Sequence, residues 1–174
     1  MTYQEPKAPS PKDLDAASYR ALMRHQAGAV TVIATGRLGA RAGLTATAVS
    51  SLSDNPPTIL ACVGRKAGAH DLIAADGAFS VNVLAATQRD IAERFSGSSA
   101  LHGEDRFAGL CWETLGTGAP LLVGALAGLD CRLVESHAFS THTIFIGRVV
   151  AGRCDGGLEP LLYFRGAYRH LSEK

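Results

Sequence analysis

Short β-branched or alternating runs, separated by tight turns containing Gly or Pro, constrain this chain more than any other feature. AVTVIAT at 29–35, TILACV at 58–63 and FSVNVL at 79–84 have the length and composition of strands, and 125–135 and 142–152 read as two longer ones. Leu121 to Val123, Leu161 to Phe164 and Ala167 to His170 complete the set. Parallel neighbours would need a crossover of about a dozen residues between successive strands, and the sequence shows no regular βαβ alternation. The expected architecture is therefore mainly β (α+β): a small antiparallel barrel with peripheral helices. Helices are expected from Leu14 to His25 behind an Asp13 N-cap, from Ala69 to Ala75 before Gly77, and from Thr87 onward with Ile91 and Phe95 on one face. A hairpin turn at Gly36 to Gly39 returns the chain through Arg41 to Ser53.

At 174 residues, 47% hydrophobic and 19% charged, the chain fits one globular domain. Residues 1–13 carry three prolines and no apolar stretch, so they read as a disordered arm, leaving 14–174 as the folded domain. The formal charge of +1 and the dispersed Lys and Arg argue against a nucleic-acid surface. Ala119 to Leu129 is the longest apolar patch; it is too short to span a membrane and is broken by Gly124 and Gly128. Cys62, Cys111, Cys131 and Cys154 have no metal-ligand spacing and read as buried free thiols of a reducing, cytoplasmic setting. GxGxxG, P-loop, GxSxG and HExxH patterns are all missing.

Four clusters carry the candidate chemistry. Gly43 to Pro57, GLTATAVSSLSDNPP, is strand-like but lacks bulk. Thr45, Ala46, Thr47, Ser50 and Ser51 leave room beside the backbone and offer hydroxyls. The run suits a flat, polar-edged ligand lying against the main chain, and equally an edge strand with its turn. GRKAGAH, Gly64 to His70, sets Arg65 and Lys66 between glycines at a strand-to-helix junction, either an anion site suited to phosphate or a solvated basic turn. His142 opens an apolar strand with side-chain parity opposite to that of His137, so the two do not share a metal. A lone His of this kind is either a hydrogen-bonded structural residue or a ligand contact. YFRGAY, Tyr163 to Tyr168, borders a planar ligand or packs in the core. Ser96 to Gly109 is a long, Gly- and Ser-rich excursion of the type that is functional or disordered. No pairing of nucleophile and base is legible, so enzyme chemistry here would belong to a bound organic cofactor.

In this order the motifs resemble the short-chain flavin reductase family, the reductase components of two-component flavin monooxygenases. YRALMRHQAGAVTVIAT, GLTATAVSSLSDNPPTILACV, GAFSVNVLAATQRDIAERFSG, DRF, TGAPLLVGALAGLDCRL, HTIFIGRV and YFRGAYRHL follow one another in register from Tyr19 to Leu171. The resemblance implies an FMN-binding split β-barrel of Greek-key type that dimerises, with flavin near the subunit interface. It implies that Thr45, Ala46, Thr47, Ser50 and Ser51 contact the isoalloxazine and that Arg65, Lys66 and Ala67 lie along the ribityl phosphate. Asn82 and Phe95 would form a neighbouring wall, His142 would meet the nicotinamide, and Tyr168 would be the closing aromatic. The implied activity is hydride transfer from NADH or NADPH to FMN or FAD, with reduced flavin passed to a separate monooxygenase. Many members carry Gly-Asp before this histidine; here Ser140 and Thr141 stand there, a pattern similar to corrin reductases. Two further readings of the same barrel stay open. One is a reductase with tightly bound FMN acting on an acceptor such as a cobalt corrinoid; the other is a non-enzymatic flavin- or haem-binding protein.

Overall fold

The computed structural model describes residues 13–171. Apart from Asp13, the arm expected over residues 1–13 lies outside them. Helix α1 spans Ala16–Met23 and starts later than its sequence suggests, because Asp15 rather than Asp13 is its N-cap. The Asp15 carboxylate accepts the backbone N–H of Ala17 at 2.8 Å and of Ser18 at 3.0 Å. Strands β1 (Gly28–Ala29), β2 (Thr31–Thr35), β3 (Ala42–Ala46), β4 (Val49–Asp54) and β5 (Pro57–Gly64) follow. Helix α2 (His70–Asp76) ends at Gly77, whose φ of +66° would strain any side chain. Beyond β6 (Ala78–Val83), Gln88 Oε1 accepts the Ala85 N–H at 2.9 Å; this tightens Ala86–Gln88 into a 3-10 turn, so helix α3 proper is Arg89–Phe95 rather than starting at Thr87. The remaining strands are β7 (Trp112–Thr114), β8 (Pro120–Leu122), β9 (Ala127–Phe139), β10 (His142–Cys154), β11 (Leu162–Phe164) and β12 (Ala167–Arg169).

Seven strands form one antiparallel sheet in the order β3-β2-β6-β9-β10-β5-β4. Its two edges, β3 and β4, are consecutive in the chain with only Thr47 and Ala48 between them. Three peptide steps reach at most about 11 Å, so the edges must meet. The sheet therefore curls into a barrel that stays split along the seam between β3 and β4. The return expected through Arg41 to Ser53 is thus two strands at opposite ends of the sheet. Ile33, Ile59, Ala61, Val63, Phe79, Val81 and Phe145 form one core cluster, joined by Ile73 of α2 and by Ala69 just before it. Val32 and Ala34 point the other way and pack with Ile91, Ala92 and Phe95 of α3. Buried on both faces, β2 is a continuous run without polar alternation. Of the four free thiols only Cys131 is buried; Cys62 is half-buried, and Cys111 and Cys154 are exposed because they sit at strand ends outside the barrel. Burial, with Asp130 beside it, pushes the Cys131 thiol up to about 12.

Two polar clamps set the parts around the barrel. Asn82 is fully buried on β6; its Nδ2 donates to Val32 O and Ser80 Oγ, both at 3.0 Å, and its Oδ1 accepts the Leu122 N–H at 2.7 Å. Ser80 donates to Pro120 O, so β8 hangs from β6 through side chains. The 96–109 excursion is stitched down by Arg106, whose guanidinium donates to the carbonyls of Leu101, Gly43, Phe95 and Ser96 at distances between 2.7 and 3.3 Å. Glu104 accepts the Arg41 backbone N–H at 2.8 Å and pairs with its guanidinium.

Candidate functional site

A cavity of about 880 Å³ opens where the seam, α3 and the β11 and β12 hairpin meet. Thr45, Ala46 and Thr47 line one side, Arg89, Glu93, Ser96, Ser98 and Ser99 another, and Tyr163, Tyr168 and Arg169 a third. Small residues are what let α3 and β3 approach. A Cβ on Gly43 would stand 2.8 Å from the Phe95 ring. Thr45 Oγ1 donates to Ala92 O at 2.6 Å and Thr31 Oγ1 to Ala46 O at 2.8 Å, so part of the hydroxyl supply holds strand and helix together.

Tyr163 and Tyr168 are cross-strand partners with ring centroids 5.4 Å apart, edge to face. Arg89 reaches over the Tyr168 ring at 5.5 Å and bonds Glu93 Oε1 at 2.8 Å. Burial, and then the Glu93 carboxylate, push the Tyr168 phenol above its ordinary value, so it stays a protonated donor at neutral pH. With Arg169, the cavity presents two guanidiniums against one carboxylate. Small-residue backbone, an aromatic edge and a positive rim fit a flat heterocycle with an anionic tail.

The sequence-derived site residues divide into four groups. Thr45, Ala46, Thr47 and Tyr168 come together in this cavity. Ser50 lines a second cavity of about 500 Å³ that shares Thr47 and Tyr163 with the first, while Ser51 is exposed on β4. His142 stands opposite Gly64 across β5 and β10, its Nδ1 2.9 Å from Thr141 Oγ1. Arg65, Lys66 and Ala67 turn beside it and line neither cavity; Arg65 donates its backbone N–H to Thr141 O at 2.9 Å and its Nη1 to Ser140 O at 3.4 Å. His70 from the same motif faces Thr143 Oγ1 at 2.8 Å. Asn82 and Phe95 are fully buried: the first is the β8 clamp, and the second packs edge-on against Phe107 at 5.0 Å. Both stand behind the site rather than in it. Sequence reasoning missed Arg89, Glu93, Ser96, Ser98, Ser99 and Arg169 as lining residues. Arg89 and Glu93 read as an ordinary i,i+4 pair on a solvated helix face; the signals that pointed to this corner were YFRGAY, the low-bulk run and the Ser96 to Gly109 excursion.

Fold and site together define a split-barrel protein with a cleft for a flat anionic heterocycle along its seam. Residues 23–172 match the family model described as a flavin reductase like domain, and the chain belongs to that family. It is similar to the FMN reductase (NADH) RutF of Agrobacterium fabrum, 41% identical over 167 residues that cover 96% of this chain and 93% of the relative. Among solved structures, the NADH:FAD oxidoreductase SgcE6 of Streptomyces globisporus C-1027, in complex with NAD and FAD fragments, superposes with a TM-score of 0.83 at 32% identity, covering 96% of this chain and 98% of that one. BorF, the flavin reductase component of a bacterial two-component tryptophan halogenase, superposes with a TM-score of 0.83 at 32% identity, covering 92% of this chain and all of that one.

Proposed function

We propose that this protein is an NADH:flavin oxidoreductase that reduces FMN and releases it to a separate flavin-dependent monooxygenase. The observation that carries the reading is the open seam cavity, with small residues, paired tyrosines and two guanidiniums, in a chain whose relatives are named FMN reductase (NADH). A flavin held in this cavity would supply the hydride acceptor for the nicotinamide. The chain's own residues bind and orient. Ala46 leaves the ring plane clear, Arg89 and Arg169 hold the phosphate, and the Tyr168 phenol donates to the ligand. His142, with Arg65, Lys66 and Ala67 beside it, belongs with the nucleotide. Thr47, Arg89, Ser98 and Arg169 are exposed, so flavin can enter and leave.

The working form is a homodimer in the cytoplasm. α1 buries none of its residues, and Leu22, Leu52 and Phe139 stand 63%, 50% and 60% exposed, apolar surface that a second copy would cover. All four thiols are free, as suits a reducing compartment. No helix among the described residues is long and apolar enough to cross a membrane.

Steady-state NADH oxidation with added FMN, FAD and riboflavin tests the reading. The expected result is a rate that saturates in free FMN, and an Ala46→Leu variant that melts like the wild type while its flavin Kd rises by about tenfold or more. A yellow protein whose rate ignores added flavin overturns the diffusible-product reading.

A further inference from the structure

We propose that a third cavity, away from the seam, is a binding site for a small aromatic carboxylate. It has a volume of about 370 Å³ and lies between the turn joining β2 to β3, which supplies Arg37, Leu38 and Arg41, and the β7 and β8 hairpin, which supplies Trp112, Glu113 and Pro120. It shares no lining residue with the other two cavities. Its volume is less than half that of the seam cavity and near the lower end of ligand pockets, about 300 Å³. One ring fits such a space; a flavin or a dinucleotide does not.

The site is built around donors. Arg37 Nη1 donates to Thr117 O at 3.0 Å, and the guanidinium lies over Gly118, where a Cβ would collide with it. Thr117 is itself fixed by the fully buried Asp130 carboxylate, which accepts its N–H at 2.8 Å and its hydroxyl. Arg37 is therefore aimed through one N–H, and its others have no carboxylate partner among the described residues. The second donor is Trp112, whose indole Nε1 is buried without a hydrogen-bond partner among the described residues. The Phe107 and Phe95 rings pack on the indole at 4.9 and 5.9 Å. A buried N–H with no acceptor is costly and rare, so this one points to an acceptor that a ligand brings.

The carboxylates nearby are already engaged, Glu113 with Arg153 and Glu104 with Arg41. An excess of donors with no free carboxylate takes an anion, and a carboxylate pairs with the planar guanidinium through both oxygens. Leu38, 85% exposed at the tip of its turn, joins Trp112 and Pro120 as apolar surface for a ring. A phosphate alone would leave that surface uncovered, and a neutral ring would leave Arg37 unpaired.

The experiment is titration calorimetry of the full chain with benzoate, with and without saturating FMN, backed by the emission of Trp112, the chain's one tryptophan. Benzyl alcohol supplies the ring without the charge, and inorganic phosphate the charge without the ring. Benzoate is expected to bind with a Kd of about 1 mM or tighter, to change the Trp112 emission, and to hold that Kd within about twofold when FMN is present. The two controls should bind at least about tenfold more weakly. Arg37→Gln should raise the benzoate Kd about tenfold or more, and Trp112→Phe, which keeps a ring and removes only the N–H donor, about fivefold, both with wild-type thermal melts. No benzoate binding by the wild type, or an unchanged Kd in Arg37→Gln, overturns the assignment. So does displacement of benzoate by FMN, which would move it to the seam, and phosphate binding as tight as benzoate, which would show a site that reads charge alone.

Discussion

Asn82 spends its amide inside the sheet, bonding Val32, Ser80 and Leu122 with no solvent contact. Removing it strands a buried carbonyl and a buried N–H, each costly without a partner. Asn82→Ala should therefore lose about 3 kcal/mol of unfolding free energy, while the flavin Kd of the folded fraction stays within about twofold. Urea melts paired with flavin titrations check this, and a large change in Kd at unchanged stability would return Asn82 to the site. Ala46 is the opposite case. It matters through the bulk it lacks, and that absence is readable in GLTATAVSS, whereas the duty of Asn82 is set by β8, some 40 residues away.

At the scale of elements, β3, α3 and the 96–109 excursion form one wall, held by ion and carbonyl contacts rather than by apolar packing alone. The Arg41 guanidinium, bonded to Glu104, holds that carboxyl below the usual carboxylate range. A carboxyl with a depressed folded pKa contributes stability above its unfolded value, about 4.3, and loses it as pH falls through the folded value. Glu104→Gln should thus lower the melting temperature at pH 7, and the gap to wild type should close below about pH 4. A gap independent of pH would show that the pair does not act through charge. The excursion was legible from its length and composition as a long loop, functional or disordered. Its attachments were not, because Arg106 bonds backbone carbonyls, which any sequence would present.

The whole molecule is a barrel left open along one line, with two cavities beside that line and exposed apolar residues on α1, β4 and β9. If a second copy covers those residues, the protein should sediment at twice its 18.2 kDa chain mass. Leu52→Arg with Phe139→Arg should shift it to the single-chain mass with its far-ultraviolet circular dichroism intact. A wild type that sediments as one chain would refute the dimer. On helix α1, Leu22 stands exposed, while Arg20 and Arg24 line the second cavity.

By itself the sequence determined the antiparallel, mainly β character, the positions of most strands, though not β7, the low-bulk stretch from Gly43 to Pro57 and the aromatics of YFRGAY. These are local properties, since periodicity, turn residues and side-chain volume act within a few positions. Only the tertiary structure decided that this stretch breaks at Thr47 and Ala48 into the two edges of one sheet. It alone decided that Arg89 and Arg169 line the first cavity while Arg65 and Lys66 line neither, and that Asn82 is buried in the sheet. Those outcomes depend on which distant strands pair and on where a curled sheet brings its ends together, and no local window of sequence carries that information.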